Sequence, residues 1–249
     1  MELRPRTRAA IAAARAARLP IIIATGRMFR SVRRYALAAG ITEPVVCYQG
    51  AVVADPVSGE FLCHVPMPLA EALEAIEATS ELGYTVLCYV DDELYVSRET
   101  FASHAYAHSQ EITINVVGDL TSWLERAPTK LVTVGDPAEL DTLEVVMKAR
   151  FGERLYISKS LPHFLEFAGP QVTKGTGLMF VAERLGFTRE ATVAFGDGEN
   201  DVELLDWAGY GVAVANAHER VLAIADFVCP PVDDEGVAQV IEALVDSLS

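Results

Sequence analysis

Four acidic side chains follow one apolar run near the C-terminus, in the stretch AFGDGENDVELL at residues 194–205. Asp197 ends the run inside a Gly-Asp-Gly turn, and Asp201 lies four residues further on, where a helix is predicted to begin. Crowded carboxylates repel one another unless a cation joins them. Oxygen ligands at a strand end suit Mg²⁺, which keeps several waters and needs few protein carboxylates. The alternative is an acidic first helical turn, which the helix dipole favours by itself. The tight turn makes the metal site the preferred interpretation.

Two other short stretches carry groups that could bind an anion. Thr25 lies where the apolar run IIIAT gives way to Gly26, and a hydroxyl beside free backbone N–H groups can hold a phosphate oxygen. The same Thr-Gly pair could instead cap the next helix. Lys174, in VTKGTG, begins a predicted helix, where the helix dipole disfavours a cation. A bound anion or a nearby carboxylate cluster would explain this lysine, and an exposed lysine in a flexible turn is the alternative.

Short apolar runs alternate with helical patterns and position these groups. The runs predicted to be core strands are 19–25, 43–48, 191–197, 210–216 and 225–230. Runs without polar alternation are buried on both faces, and strand–helix alternation favours a parallel sheet between helix layers. Ligands of such sheets bind beyond the carboxyl ends of the strands, which is where Thr25 and Asp197 lie.

The middle of the chain has a different order of elements. It reads as helix 68–83, two strands across the turn Asp91-Asp92, helix 99–110, strand 112–116, helix 118–126, strand KLVTV, helix 136–151, and strands 154–158 and 163–168. This order predicts a separate α+β module inserted into the α/β domain. Pro and Gly place its boundaries near Met67-Pro68 and Gly169-Pro170. The predicted domains are therefore residues 1–67 plus 170–249, and residues 68–169.

The chain resembles the haloacid dehalogenase superfamily in the order of four stretches. These are ATGR, then KG after a long insert, then GDGENDVELL and VAVANA. It is similar to the Cof-type phosphatases of the IIB group, whose large α/β cap has the element order predicted for 68–168. The resemblance covers nearly the whole chain, and the stretch 196–201 is its specific part. It implies an α/β fold with a Rossmann-like parallel sheet and an inserted α+β cap of the C2B type.

The resemblance also implies catalytic roles. Thr25 matches the residue that binds the transferred phosphoryl group, and Gly26 and Arg27 complete its phosphate-binding turn. Lys174 matches the lysine that neutralises the nucleophile and the phosphoryl charge. Both Thr25 and Lys174 are therefore predicted to be catalytic.

The resemblance assigns the acidic stretch to metal and phosphate binding. Asp197 and Asp201 match the two acids of the Mg²⁺ motif, and Mg²⁺ is the expected cofactor. Asn200 is expected to hydrogen-bond the phosphate region. Gln49 is predicted to contact substrate, although it stands where these proteins usually carry Asn before Gly-Ala.

One part of the family pattern is missing from the sequence. The nucleophilic aspartate belongs to a DxDGT-type motif at the end of the first strand, and no DxDxT occurs in the 249 residues. In this fold the first strand is central, between the strand ending at Thr25 and the one ending at Asp197. Its loss would leave two long apolar edges, which natural proteins avoid. We therefore expect that Met1 is not the native start and that an upstream segment belongs to the protein.

Composition limits the partners. The formal charge of -15 makes nucleic acid an unexpected partner, since phosphate contacts dominate that affinity. No apolar run approaches the ~20 residues needed to cross a bilayer.

The four cysteines lack CxxC spacing and are interpreted as reduced. The Arg-rich first 19 residues fit a surface helix with Ala10, Ile11, Ala14 and Ala17 inward; a transit peptide is the alternative.

Two functional hypotheses follow. In the first, the full-length protein is a Mg²⁺-dependent phosphatase of small phosphorylated metabolites that works through an aspartyl-phosphate, and residues 1–249 alone are inactive. In the second, the chain is a non-catalytic module that binds a phosphorylated ligand and Mg²⁺. A cytoplasmic location is expected, and the sequence leaves the substrate and the oligomeric state open.

Overall fold

The chain folds into alternating helices and strands in the computed structural model, which describes residues 3–248. The helices are α1 (Pro5–Ala16), α2 (Phe29–Ala38), α3 (Leu69–Glu81), α4 (Phe101–Gln110), α5 (Leu120–Trp123), α6 (Pro137–Phe151), α7 (Lys174–Leu185), α8 (Val202–Trp207), α9 (Glu219–Ile224) and α10 (Gly236–Ser247). The strands are β1 (Val45–Cys47), β2 (Val52–Ala54), β3 (Phe61–His64), β4 (Thr85–Val90), β5 (Glu93–Val96), β6 (Ile114–Val116), β7 (Lys130–Val134), β8 (Tyr156–Leu161), β9 (Phe164–Ala168), β10 (Val193–Gly196), β11 (Tyr210–Val214) and β12 (Phe227–Cys229). Over the described range they form three sheets, ordered β1-β2-β3, β10-β11-β12 and β6-β5-β4-β7-β9-β8.

The C-terminal part supplies a parallel sheet. β10 pairs with β11 and β11 with β12, and each strand leads into the helix that follows it, α8, α9 or α10. The run that predicted β11 lacks alternation because neighbouring residues such as Val212 and Ala213 are both fully buried. Since parallel strands end at the same edge of a sheet, the turn after β10 carries Asp197 to a ligand-binding edge.

The run predicted as a strand over 19–25 forms only a bridge. Ala24 bridges Val46 in parallel orientation, Thr25 N–H donates to Val46 O at 2.8 Å, and Val46 N–H donates to Ile23 O at 2.8 Å. The prediction of a full strand is therefore wrong, because the run pairs along one edge and over two residues only. Within residues 3–248 no backbone hydrogen bond joins this run to β10. This lack of pairing matches the predicted gap at the centre of the sheet.

The inserted module forms the six-stranded sheet with helices α3 to α6, and this unit is called the cap below. Its elements occur in the predicted order. One face of the sheet packs on α3 and α6 through residues such as Cys88 and Leu131. The other face carries Tyr89 and Lys130 toward the rest of the chain, which is called the core below. The domain boundaries proposed at 68 and 169 stay a prediction.

The N-terminal helix packs on the C-terminal one. Ala10 and Ala14 of α1 contact the cluster of Ala238 and Ile241 in α10, and the predicted apolar stripe is confirmed for Ala10, Ile11 and Ala14 but wrong for Ala17. Ala17 lies beyond the end of α1 and is exposed. None of the helices between residues 3 and 248 combines the length and the apolar character that a membrane crossing requires.

Candidate active site

A cleft of about 590 Å³ lies between the cap and the core, and the predicted site residues converge there. The predicted residues that line it are Thr25, Gly26, Arg27, Lys174, Asp197 and Asn200. They come from three segments, the first of which is separated from the other two by the whole cap, so the fold brings together residues that are distant in sequence. Gln49 and Asp201 lie directly behind this wall, where Gln49 is hydrogen-bonded to Asn200 and Asp201 to Lys174, Asp197 and Gly198.

Lys174 and Asp201 form a buried ion pair at the base of the cleft. Lys174 is the first residue of α7, and its Nζ donates to Asp201 Oδ1 at 2.5 Å. Asp201 Oδ2 accepts the backbone N–H groups of Asp197 at 2.9 Å and of Gly198 at 3.0 Å. A carboxylate therefore explains the lysine at a helix N-terminus, as one of the sequence-based alternatives proposed. Gly175 permits this approach of two helices, since a Cβ there would lie 2.4 Å from Glu203 O.

Asp197 occupies the rim of the cleft and is exposed. Desolvation in the site raises the pKa of its carboxyl, the neighbouring Asp201 carboxylate raises it further, and Lys174 opposes both effects. Asn200, one turn behind, is buried and lines the cleft.

Asp197 and Asn200 suit Mg²⁺ as ligands, whereas Asp201 is already engaged in other hydrogen bonds. Asp197 and Asn200 offer oxygen ligands beside open solvent, as a cation that keeps several waters requires. Asp201, the second predicted ligand, already uses both oxygens on Lys174 and on the turn. Among the residues that the structure describes, no three His, Cys, Asp or Glu side chains are grouped to hold a metal. Asp197 would therefore be the protein's principal ligand, and Asp201 would orient its turn.

Thr25, Gly26 and Arg27 form a tight turn that faces the cleft. Arg27 N–H donates to Thr25 Oγ1 at 3.2 Å, and Gln49 N–H donates to Thr25 O at 3.1 Å. The Arg27 guanidinium donates to Ser31 Oγ at 3.2 Å. A hydroxyl oxygen that accepts a backbone N–H keeps its own proton for another acceptor. Thr25 can therefore donate into the cleft.

Gln49 supports this turn from behind. Its backbone lies in the left-handed region with φ of 60°, and its side chain is buried. Gln49 Oε1 accepts from Asn200 Nδ2 at 2.9 Å, and a Cβ on Gly26 would lie 2.4 Å from Gln49 Nε2. Gly26 is thus required for the close packing of this amide. Gln49 sits between two cleft-lining residues rather than on the cleft surface itself.

The cap contributes charged residues that the sequence interpretation did not include. Lys130 and Glu166 line the cleft as a buried ion pair, with Nζ and Oε2 2.7 Å apart. Lys130 Nζ also donates to Gly26 O at 2.8 Å. Burial raises the pKa of the adjacent Tyr89 phenol well above its usual range, so the ring stays neutral. No local pattern marks these residues, because Lys130 begins a strand whose other members are apolar except for Thr133.

Comparison with known proteins finds similar proteins over nearly the whole chain. A family model described as haloacid dehalogenase-like hydrolase matches residues 1–241. Phosphoglycolate phosphatase of Archaeoglobus fulgidus is 28% identical over 94% of this chain and 87% of its own length. Pyridoxal phosphate phosphatase YbhA of Escherichia coli is 29% identical over 96% of this chain and 91% of its own length.

Solved structures show the same architecture. TM0651 from Thermotoga maritima superposes with a TM-score of 0.81 at 30% identity, over 97% of this chain and 91% of that one. A haloacid dehalogenase-like hydrolase from Bacteroides thetaiotaomicron gives a TM-score of 0.86 at 25% identity, over 98% and 93%. The predicted fold class is confirmed by these neighbours.

Proposed function

The chain belongs to the haloacid dehalogenase-like hydrolases, and from that premise we propose that its cleft is the phosphoryl site of a Mg²⁺-dependent phosphatase of small phosphorylated metabolites. The observation that carries the proposal is the meeting of Thr25, Lys174 and Asp197 around one cleft. The similar phosphatases of A. fulgidus and E. coli, whose names give phosphoglycolate and pyridoxal phosphate as substrates, support the substrate class.

Each residue has a role that its geometry supports. The Thr25 hydroxyl donates to a phosphoryl oxygen and orients it, because its own oxygen is held by Arg27 N–H. Lys174 offers positive charge at the base, and Asp201 fixes the position of its Nζ. Asp197 would hold Mg²⁺ with Asn200 beside it, and the ion when bound would neutralise phosphoryl charge. These groups bind and orient the phosphoryl group; they do not attack it.

The attacking carboxylate is the part that residues 1–249 do not identify. DxDxT is absent from the sequence, and the other cleft-lining carboxylates of the described chain, Glu166 and Glu199, are paired with Lys130 and Arg220. This observation favours a second candidate function for residues 1–249, a module that binds a phosphorylated ligand with Mg²⁺ without turnover. Both candidates use the same binding groups, so they differ only in hydrolysis.

Calorimetry and a hydrolysis assay separate the two. Inorganic phosphate is titrated into the 249-residue chain with and without Mg²⁺, and p-nitrophenyl phosphate hydrolysis is followed under the same conditions. We expect Mg²⁺-dependent phosphate binding that Asp197→Asn abolishes and that Asp233→Asn, an equal charge change at an exposed carboxylate, preserves. Hydrolysis above background would identify a phosphatase, and binding without hydrolysis would identify the module. Absence of phosphate binding with Mg²⁺ would overturn both.

A further inference from the structure

The cap places a fully buried cation against the turn that presents Thr25. Lys130 is 1% exposed, and its partner Glu166 is 5% exposed. Ion pairs buried to this degree are weak sources of stability, because desolvation of two charges offsets their attraction. Stability alone therefore does not explain this buried pair, and its place beside the cleft indicates a role in binding.

The contacts of Lys130 join the cap to the core. Its Nζ donates to Gly26 O at 2.8 Å and to Glu166 Oε2 at 2.7 Å. It also lies 5.8 Å from the ring centroid of Tyr48 in the core and 5.4 Å from that of Tyr89 in the cap. Glu166 and the two rings thus fix the ammonium group at one position, from which it reaches the Gly26 carbonyl.

The Gly26 carbonyl and the Arg27 N–H belong to one peptide group. In a trans peptide these two groups point in opposite directions. Because Lys130 holds the carbonyl on the cap side, the N–H points the other way, and it donates to Thr25 Oγ1 at 3.2 Å. Hydrogen bonds that run in series polarise one another. A cation at the carbonyl end therefore strengthens the N–H as a donor and leaves the Thr25 proton directed elsewhere.

We propose that Lys130 is a positioning residue for phosphoryl binding, which acts through the Gly26–Arg27 peptide to aim the Thr25 hydroxyl proton into the cleft. The proposal rests on the phosphoryl-binding function proposed above. It gives the cap a role in the phosphate site itself, in addition to enclosing the cleft.

The test compares variants that separate the Gly26 contact from the ion pair. Lys130→Met with Glu166→Gln removes the donor to Gly26 and leaves no unpaired buried charge. Glu166→Gln alone keeps the Lys130 donor and still offers an amide oxygen to it. Lys148→Met is the charge control, because Lys148 pairs with Glu144 on the surface of α6. The wild type and these three variants are titrated with inorganic phosphate in the presence of Mg²⁺.

We expect the double variant to bind phosphate about tenfold more weakly, the size of one lost charge-assisted hydrogen bond. Lys148→Met should bind as tightly as the wild type, and Glu166→Gln should bind more tightly than the double variant, because it keeps the Lys130 donor to Gly26. A purely structural role predicts a different outcome, in which the double variant has a lower melting temperature and an unchanged phosphate Kd. That outcome, in a variant still folded at the assay temperature, would overturn the proposal.

A second measurement separates failure of this inference from failure of the proposed function. The amide resonance of Arg27 is followed by ¹⁵N NMR in the ligand-free proteins. Loss of the Lys130 contact should shift this resonance and speed its hydrogen exchange, whereas Lys148→Met should leave it unchanged. If the wild type binds no phosphate but Arg27 responds, the proposed function fails and the coupling through the peptide stands. If phosphate binds and Arg27 does not respond, the inference fails alone.

Discussion

Replacing Lys174 by Met tests whether the charged base of the cleft is held together by its ion pair. The Lys174 side chain is 9% exposed and that of Asp201 is 5% exposed. Lys174→Met leaves the Asp201 carboxylate with two backbone N–H donors and no cation. Breaking a buried pair from one side costs about 3–5 kcal/mol. For a chain of this length, that corresponds to a fall in melting temperature of roughly 6–20 °C.

The double variant Lys174→Met with Asp201→Asn tests the same ion pair without leaving a charge buried. With Asp201→Asn added, the new amide oxygen can still accept from Asp197 and Gly198, and its NH₂ faces the Met side chain instead of an ammonium group. No charge is then buried, so the cost should fall to about 1–2 kcal/mol. Asp201→Asn alone sets an amide donor against Lys174 and should cost as much as Lys174→Met. The sum of the two single costs should therefore exceed the cost of the double variant by about 4 kcal/mol or more.

Urea unfolding measures these costs. The chain has two tryptophans, Trp123 in α5 of the cap and Trp207 in α8 beside the site, so Trp123→Phe leaves Trp207 as the reporter of the core. Lys148→Met in the same background removes an exposed helical pair and should cost less than about 0.5 kcal/mol. A loss of under about 1 kcal/mol for Lys174→Met, with additive single variants, would refute the reasoning that the pair is buried and coupled.

Three further predictions concern other parts of the chain. Gly50→Ala should cost about 3 kcal/mol or more by urea unfolding, because Gly50 has φ of +107° and its Cβ would lie 2.0 Å from Thr173 O; a near-neutral result would contradict this contact between the turn after β1 and α7. Partial desolvation lowers the pKa of the half-exposed His64 imidazole, whose Nε2 contacts Thr129 Oγ1 at 3.0 Å, so its contribution to wild-type stability should fall as pH drops below about 6.5. His64→Gln should lose less stability than the wild type between pH 7.5 and 5.5, and equal losses would contradict the burial effect. Phe101→Ser should change stability by less than about 0.5 kcal/mol in the same assay, since Phe101 is 90% exposed; a larger loss would show that the ring is covered.

The sequence predicted the elements whose apolar pattern reflects burial. The order of the cap elements followed from such patterns, and β4 read as a continuous apolar run because Val86, Leu87 and Cys88 are all buried. β3 was not predicted, because its short run FLCH is only half-buried and gives no clear alternation. The run at 19–25 has a strand-like pattern, yet pattern alone does not supply a pairing partner.

Some site residues are signalled by the local sequence, and others are placed in the site only by tertiary contacts. Thr25, Lys174 and Asp197 follow strand ends or begin helices, where local sequence signals a turn, and the structure brings them to one cleft. Lys130 could not be identified, because its partners Gly26 and Glu166 are 104 and 36 residues away in sequence. A lysine that begins a strand is ordinarily exposed, so its burial depends wholly on tertiary contacts.

The charge balance of the cleft argues that phosphate binding depends on a divalent cation. Three of the lysines that line the cleft are already paired, Lys130 with Glu166, Lys159 with Asp141 and Lys174 with Asp201. Arg27 remains, and the exposed carboxylate of Asp197 opposes it. In a chain with a formal charge of -15, a phosphate dianion would meet a nearly neutral cleft inside a negative surface. A divalent cation on Asp197 would reverse the sign of the local charge, which is why the proposed phosphate affinity should require Mg²⁺ and weaken as ionic strength rises.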